Sequence, residues 1–521
     1  MHNINHYFFQ LNSVLYLFII CILLSSIYCN SSDITINSKN KKDGKFYIYD
    51  WPSHLDDCYP PPGSPLDTTT SYSHDFYENE GAGKLLDSKN SYFATWQFSL
   101  YKNLMARLRV SKYRTLDPNE AIAFIVPYDP GVHSYIDHKT GRPRLASPHG
   151  WEAIRLLQKS SKDKETFWKM HGHNHFVFFS VTGYQMVGIG TKVFFMTICQ
   201  NCTVLSIETA PGNIAIPGRT HKSWYSIPYP SSIHWWDGQK EAPWRASSSS
   251  SSSSTSDDNK RDILAIFIGS LKTRTAHSNM LRRKLYAQCG ENSNCKWLRT
   301  AHSCTGLVGS NQSTVLLYRR TIFCLAPAGD SLTRKSVFDS YTTGCIPVIF
   351  ARATLSQYFW HISESEIDES TVYIPKLDVL KKNVDFMKIL ESIPKKEIVK
   401  KQQAIARLAP RLQYSVVPEK YRAAKNAGND PKQFKTWAPP YRDATDVVIE
   451  KLINPKTIEP VEGYTLDQLK IAQRKQREIM STDPDYMGMS APGTEDDSGK
   501  SKRKRKPKHG AAKRDKVKAS D

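Results

Sequence analysis

Residues 321–350 read TIFCLAPAGDSLTRKSVFDSYTTGCIPVIF, and this stretch decides the fold class. Residues 322–325 are a short apolar run of strand length, and residues 326–330 carry the turn signals Pro327 and Gly329. Ser331 is placed as the N-cap of a helix, because Arg334, Val337, Phe338 and Tyr341 follow at i, i+3, i+4 and i+7 on one helical face. Gly344 stops that helix, and residues 346–350 begin a second buried strand. The unit is therefore strand, glycine turn, helix, strand. A helix that starts just past such a turn presents unpaired N–H groups and a partial positive charge, which suits a phosphate. Arg334 would clamp phosphate oxygens in a bidentate fork, and Ser331 and Thr333 would add hydroxyl donors. Asp339 would accept hydrogen bonds from ribose hydroxyls, and Gly329, Asp330 and Gly344 complete the set. The pattern is common in α/β proteins generally, where Arg334 and Asp339 would be plain surface charges.

Working outward, residues 262–268 and 276–289 read as a strand and a helix joined by the turn GSLKTRT, which contains Gly269 and Arg274. Residues 313–320 form a helix feeding the central unit, and further helices are expected at 377–393, 395–411 and 443–453. In the first half, residues 45–50 (KFYIYD), 121–126, 176–180, 192–197 and 203–208 have strand character, and residues 92–111 have helical spacing. The loop at 127–135 leaves the C-terminal end of a strand, the usual place for a site in an open α/β sheet, and it carries Asp129 and His133. Residues 246–258 are a run dominated by serine that cannot bury a core.

The string FCLAPAGDSLTRKSVFDSYTTGCIPVIF resembles the signature of the exostosin-like glycosyltransferases (glycosyltransferase family 47), nearest the plant xyloglucan galactosyltransferase-like branch. The opening KFYIYD strand, the Tyr113-Arg114-Thr115 and Asp117-Pro118 stretch, the segment IPYP (227–230) followed by His234, and the DATDVVIEKLI helix are similar to family segments in the same order. The resemblance covers roughly residues 45–453. It implies a GT-B-like fold, two Rossmann-like domains facing a central cleft, and transfer of a sugar from a nucleotide sugar to a carbohydrate hydroxyl with inversion. It places the nucleotide on the C-terminal domain, with Gly269 and Arg274 joining the 329–344 residues, and the acceptor on the N-terminal one, with His175 and His234 lining its side of the cleft. A UDP-sugar such as UDP-galactose or UDP-glucuronate is the expected donor, and a polysaccharide or glycoprotein glycan the acceptor. A catalytically inactive lumenal carbohydrate-binding protein of the same fold is the alternative.

Inverting transfer needs a base for the acceptor proton and positive charge for the departing diphosphate. His133 is the first choice for the base, although the plant branch usually has an acidic residue there, and Asp129 is the second. Arg334, Arg274 and the helix start can supply the positive charge, so no cofactor is required and a divalent metal is not indicated. The histidines at 171, 173 and 175 invite a metal reading, but the family carries a strand-end motif at that place. Cys199 and Cys202 could be half a zinc site, yet no second pair follows at a suitable distance.

The formal charge is +21, of which residues 500–521 contribute about nine, with eleven Lys/Arg against two Asp. This tail has no interleaved aromatics and reads as solvated rather than as a nucleic-acid patch. Residues 7–29 contain no charged side chain and suffice to cross a bilayer. They read as a signal anchor or a signal peptide; the absence of a basic residue before the segment and the lysines at 39, 41, 42 and 45 after it disagree with a lumenal domain. The family resemblance, three sequons (Asn30, Asn201, Asn311) and eight cysteines beyond the segment favour a single-pass type II Golgi protein with a lumenal catalytic domain. Those cysteines point to disulfides, with a bridge among Cys289, Cys295 and Cys304. The expected organisation is anchor or signal 1–29, stem 30–44, acceptor-side domain 45–245, linker 246–260, nucleotide-sugar domain 261–455, a helix 456–483 and a disordered basic tail 484–521. Nucleotide sugar, carbohydrate acceptor and membrane are the expected partners, with no nucleic acid and with homo- or hetero-oligomers left open.

Overall fold

A computed structural model of the chain describes residues 44–52, 78–131, 152–153, 155–156, 172, 174–182, 199, 202–208, 224–235, 261–273, 276–298, 307–308, 312–422 and 434–454. The expected anchor, stem, serine-rich linker, strand at 192–197, helix at 456–483 and basic tail lie outside these, as do His133, Arg274, Asn30, Asn201 and Asn311. Among the described residues no helix is long and apolar enough to cross a membrane.

Two parallel sheets dominate. The first is built from β1 (Lys45–Ile48), β4 (Arg114–Thr115), β5 (Ala121–Ile125), β6 (His175–Phe179), β7 (Thr203–Ser206) and β8 (Trp224–Ser226), in the spatial order β4-β1-β5-β6-β7-β8. Between them lie the short antiparallel pair β2 (Leu85–Asp87) and β3 (Tyr92–Phe93) and the helix α1 (Leu100–Arg109). The second sheet contains β9 (Ile263–Ile268), β10 (Cys295–Leu298), β13 (Thr321–Ala326), β14 (Ile346–Ile349) and β15 (Val372–Tyr373), in the order β10-β9-β13-β14-β15. A small pair, β11 (Leu307–Val308) and β12 (Gln312–Ser313), precedes β13. The accompanying helices are α2 (Ala276–Gly290), α3 (Thr314–Arg319), α4 (Lys335–Thr343), α5 (Ala353–Ser356), α6 (Glu364–Ser370), α7 (Lys376–Lys381), α8 (Phe386–Ser392), α9 (Lys395–Leu408) and α10 (Ala444–Ile453).

All pairings within both sheets are parallel. The α/β reading therefore holds, and continuous apolar strands such as β6 (HFVFF) and β14 (IPVI) are what sheets covered on both faces need. In each sheet the chain starts near the middle and reverses direction, so a topological switch point lies between β1 and β5 and another between β9 and β13. One apolar core runs through both sheets, from Phe46 and Phe178 to Phe323, Ile346 and Phe338.

Several boundaries differ from the sequence reading. The helix expected from residue 92 starts at Leu100, because Ser91 turns at a φ of 52° and Phe93 donates its N–H to the Ser232 carbonyl instead. The helix expected over 377–393 divides into α7 and α8 around Asn383, whose φ is 52°, and Asp385 caps the second piece. Gly344 stops α4 as expected, with a φ of 72° and its N–H on Ser340 and Tyr341 carbonyls. Gly344→Ala should cost about 1 kcal/mol, the strain of a side chain in the left-handed region. Denaturant midpoints of the two proteins would measure it, and equal midpoints would contradict the cap.

Disulfides join Cys199 to Cys202, Cys289 to Cys295 and Cys324 to Cys345. The first pair is thus bonded to itself, and the expected local bridge near 289–304 is Cys289–Cys295. The third ties β13 to the start of β14 within a small apolar cluster with Ile263, Ile266 and Leu317.

Candidate active site

The turn after β13 is positioned by its position in the second sheet. It leaves the C-terminal end of β13 beside the C-terminal end of β9, at the switch point where open α/β sheets bind ligands. Helix α4 starts at Lys335, and Arg334 occupies the N-cap position with extended backbone (φ −157°, ψ 154°) and no side-chain cap bond. Ser331 is therefore not the cap. Its hydroxyl donates to Glu208 Oε1 at 2.8 Å and is spent on protein, while Thr333 is buried beside it.

Arg334 folds back over the turn. A Cβ built on Gly329 would lie 1.2 Å from its Nη2 and 1.8 Å from its Cζ, so the glycine is the space in which the guanidinium rests. Its Nε is buried with no hydrogen-bond partner among the described residues. An unpartnered guanidinium donor in a buried setting is costly unless something completes it.

Arg282 on α2 holds the two turns of the switch point together. Its Nε donates to the Ala328 carbonyl at 2.9 Å and its Nη2 to the Pro327 carbonyl at 3.3 Å, while Nη1 reaches the Ser270 carbonyl. The guanidinium lies over the Phe267 ring, 5.1 Å from its centroid. A Cβ at Gly269 would come within 2.7 Å of that ring, which explains the glycine there. Burial, and then the nearby charge of Arg334, bring Arg282 down to about 9. Sequence reading missed Arg282 because a helical arginine facing two carbonyls of another turn leaves no local trace.

Asp339 is engaged within the protein. Its carboxylate pairs with Lys335 at 2.9 Å and accepts the Ser232 N–H at 2.7 Å, joining α4 to the first half of the chain. Gly344 sits at the far end of α4, about 13 Å from the turn at 1.5 Å per residue, and serves as a helix stop.

On the first sheet, both histidines assigned to the acceptor side are internal. His175 packs in an aromatic cluster with Phe124 (5.0 Å) and Tyr49 (5.6 Å), its Nδ1 hydrogen-bonded to Asn174 Oδ1 at 2.9 Å and its Nε2 to the Tyr49 hydroxyl at 2.7 Å. Burial lowers it to about 3, so it is neutral. His234 lies between the Tyr414 carbonyl (2.7 Å) and Thr95 Oγ1 (2.8 Å), and burial lowers it to about 4. Asp129, fully buried, accepts the N–H groups of Gly131 at 2.9 Å and Ser180 at 3.0 Å. Its carboxylate shapes the β5 loop and is not presented to an acceptor.

Sequence reading also overlooked Glu208, just past β7, where it is 2% exposed. It accepts hydrogen bonds from the Tyr229 and Ser331 hydroxyls, and burial pushes it up to about 7. A carboxylate ending an apolar strand (TVLSIE) at the C-terminal edge of a parallel sheet was the available signal.

With this geometry in place, residues 40–393 match the Exostosin GT47 domain. The chain belongs to the exostosin GT47 family. It is accordingly a glycosyltransferase, and its central turn is the one through which the family resemblance was first visible. The exostosin GT47 relatives include a protein named probable xyloglucan galactosyltransferase GT15 from Arabidopsis thaliana, 28% identical over 361 residues, spanning 65% of this chain and 70% of that protein. The xyloglucan galactosyltransferase MUR3 of the same plant is 27% identical over 401 residues, spanning 73% of this chain and 60% of that one. Among solved structures, a glycosyltransferase from Rickettsia africae ESF-5 aligns with a TM-score of 0.30 at 8% identity, over 60% of this chain and 90% of that one. As a GT47 glycosyltransferase the protein uses a nucleotide-sugar donor and a carbohydrate acceptor.

Proposed function

We propose that this protein is an inverting, GT-B-type galactosyltransferase that moves the sugar of UDP-galactose onto a branched cell-wall-type polysaccharide such as xyloglucan. The observation that carries the donor side is Arg334, a guanidinium cradled on Gly329 with a buried, unpartnered Nε, at the switch point of a doubly wound parallel sheet. A diphosphate is the group whose planar recognition such a fork suits. The arginine stabilises charge as it builds on the leaving diphosphate, so the reading needs no metal for that task. Arg282 keeps the Ser270 and Ala328 turns fixed around it. The names of the Arabidopsis relatives support galactose and xyloglucan.

The acceptor proton is assigned to His133. It follows Gly131 by two residues in the sequence, and Asp129 is already committed to two N–H groups. Placement in the Golgi membrane through residues 7–29, with the two sheets in the lumen, belongs to the same proposal. Its test is release of UDP from UDP-galactose, UDP-glucuronate and UDP-glucose in the presence of xyloglucan oligosaccharides, with proton NMR of the product. UDP-galactose turnover giving a β-linked product is expected. A product retaining the donor's α configuration, or turnover of another donor alone, would refute it.

A further inference from the structure

Glu208 belongs to the first half of the chain and Ser331 to the second, 123 residues apart, yet one carboxylate oxygen joins them. Oε1 accepts the Ser331 hydroxyl at 2.8 Å and the Tyr229 hydroxyl as well. The carbonyl of the preceding residue, Ile207, accepts the Tyr358 hydroxyl at 2.6 Å, and Tyr358 packs edge-on against Phe338 of α4, 4.9 Å between centroids. The turn that carries Arg334 is thus braced from the opposite half.

We propose that Glu208 is the positioning residue for the donor arginine, a brace whose charge, set by its proton, tunes how strongly Arg334 attracts an anionic diphosphate. The inference rests on the donor reading given above for Arg334. The groups facing Glu208 are Tyr229, Ser331 and Tyr358, with Arg334 and Asp330 the charged ones. Burial raises the carboxyl to about 7, the Tyr229 and Ser331 hydroxyls and Arg334 pull it down, and Asp330 pushes it up. Near neutral pH both states are therefore populated. When ionised, Glu208 offsets part of the Arg334 charge; when protonated, it leaves that charge to the ligand. The brace itself is the same in both states, because a single oxygen accepts both hydroxyls and can do so in an acid or an amide. Binding of a dianionic donor must then favour the protonated form, by reciprocity between proton and ligand.

Glu208→Gln imitates the protonated state with the brace kept, and Glu208→Ala removes the brace. Ligand-free melting curves from pH 5 to 8 report Glu208 by itself. A carboxyl raised in the folded state contributes stability below its unfolded value of 4.5 that is lost as pH rises through about 7. Wild type should therefore lose melting temperature over that window more steeply than E208Q. Asp446, also raised to about 7, contributes equally to both, so the difference between the two proteins is the readout. Titration with UDP-galactose should show wild-type affinity falling roughly fivefold from pH 6 to 8. E208Q should hold the acid-limit affinity throughout, and E208A should bind more weakly at every pH. Equal melting slopes for wild type and E208Q, or equal pH dependence of their binding, would overturn the inference. Absence of UDP-galactose binding by all three at every pH would instead sink the donor reading, and the melting slopes would still decide the titration of Glu208.

Discussion

Arg334→Ala should lower kcat/KM for the nucleotide-sugar donor by roughly 10²–10³-fold, the usual cost of removing one fixed donor from a developing anion. The fold should scarcely notice. Arg334 is partly exposed, has no ion pair, and leaves its Nε without a partner among the described residues, so truncation breaks no protein contact of consequence. Gly329→Ala should reproduce most of the loss with the arginine still present. The added methyl would fall 1.2 Å from Nη2, so the guanidinium must leave its seat. Arg334→Lys should recover little, since a point charge lacks the planar fork. Steady-state kinetics with varied donor, beside melting curves, would check the series. Wild-type turnover by Gly329→Ala would show that the seat of the guanidinium is irrelevant to donor use.

Arg107→Ala should destabilise the protein by about 3–5 kcal/mol, because it strands buried carboxylates that the arginine now completes. Arg107 is 1% exposed, and Asp443 is fully buried. Nε donates to Asp443 Oδ2 at 3.1 Å, Nη2 to Asp446 Oδ1 at 2.8 Å, and Nη1 to the Trp437 carbonyl at 3.1 Å. The guanidinium also lies over the Trp437 ring, 5.0 Å from its centroid. Asp443 and Asp446 form the capping box that starts α10, so the arginine fastens the final described helix back onto α1 of the first half. Burial, and then the Asp443 charge, already push Asp446 up to about 7; removing Arg107 would push it further. Chemical denaturation should therefore show a large loss at pH 8 and a smaller one near pH 5, where Asp446 can be protonated. A loss below 1 kcal/mol at pH 8 would mean that the halves are held elsewhere.

Much of the central unit is legible in the sequence. The strand expected at 322–325 is observed as Thr321–Ala326, and the helical face of Val337, Phe338 and Tyr341 and the stop at Gly344 appear where the pattern puts them. The misread element was the start of α4. Ser331 has the chemistry of a cap, but its hydroxyl is taken by Glu208 and the helix begins four residues later. Likewise His175 and His234 look like site histidines in a one-dimensional string, yet ring stacking and carbonyl partners absorb them. Asp339 is half a case. Its partner Lys335 stands one turn earlier in the same helix, whereas its bond to the Ser232 N–H spans 107 residues.

By itself the sequence determined the α/β alternation and the glycine turn, because periodicity, turn chemistry and caps act within a few residues of chain, and its signature string carried the family resemblance. Only the tertiary structure decided which polar groups are available and which are spent. Arg282 finds the Ala328 carbonyl 46 residues away, Ser331 its carboxylate 123 away, and Arg107 its aspartate 336 away. Those partners are chosen by the strand ends that two sheets bring together, and no local pattern records that meeting.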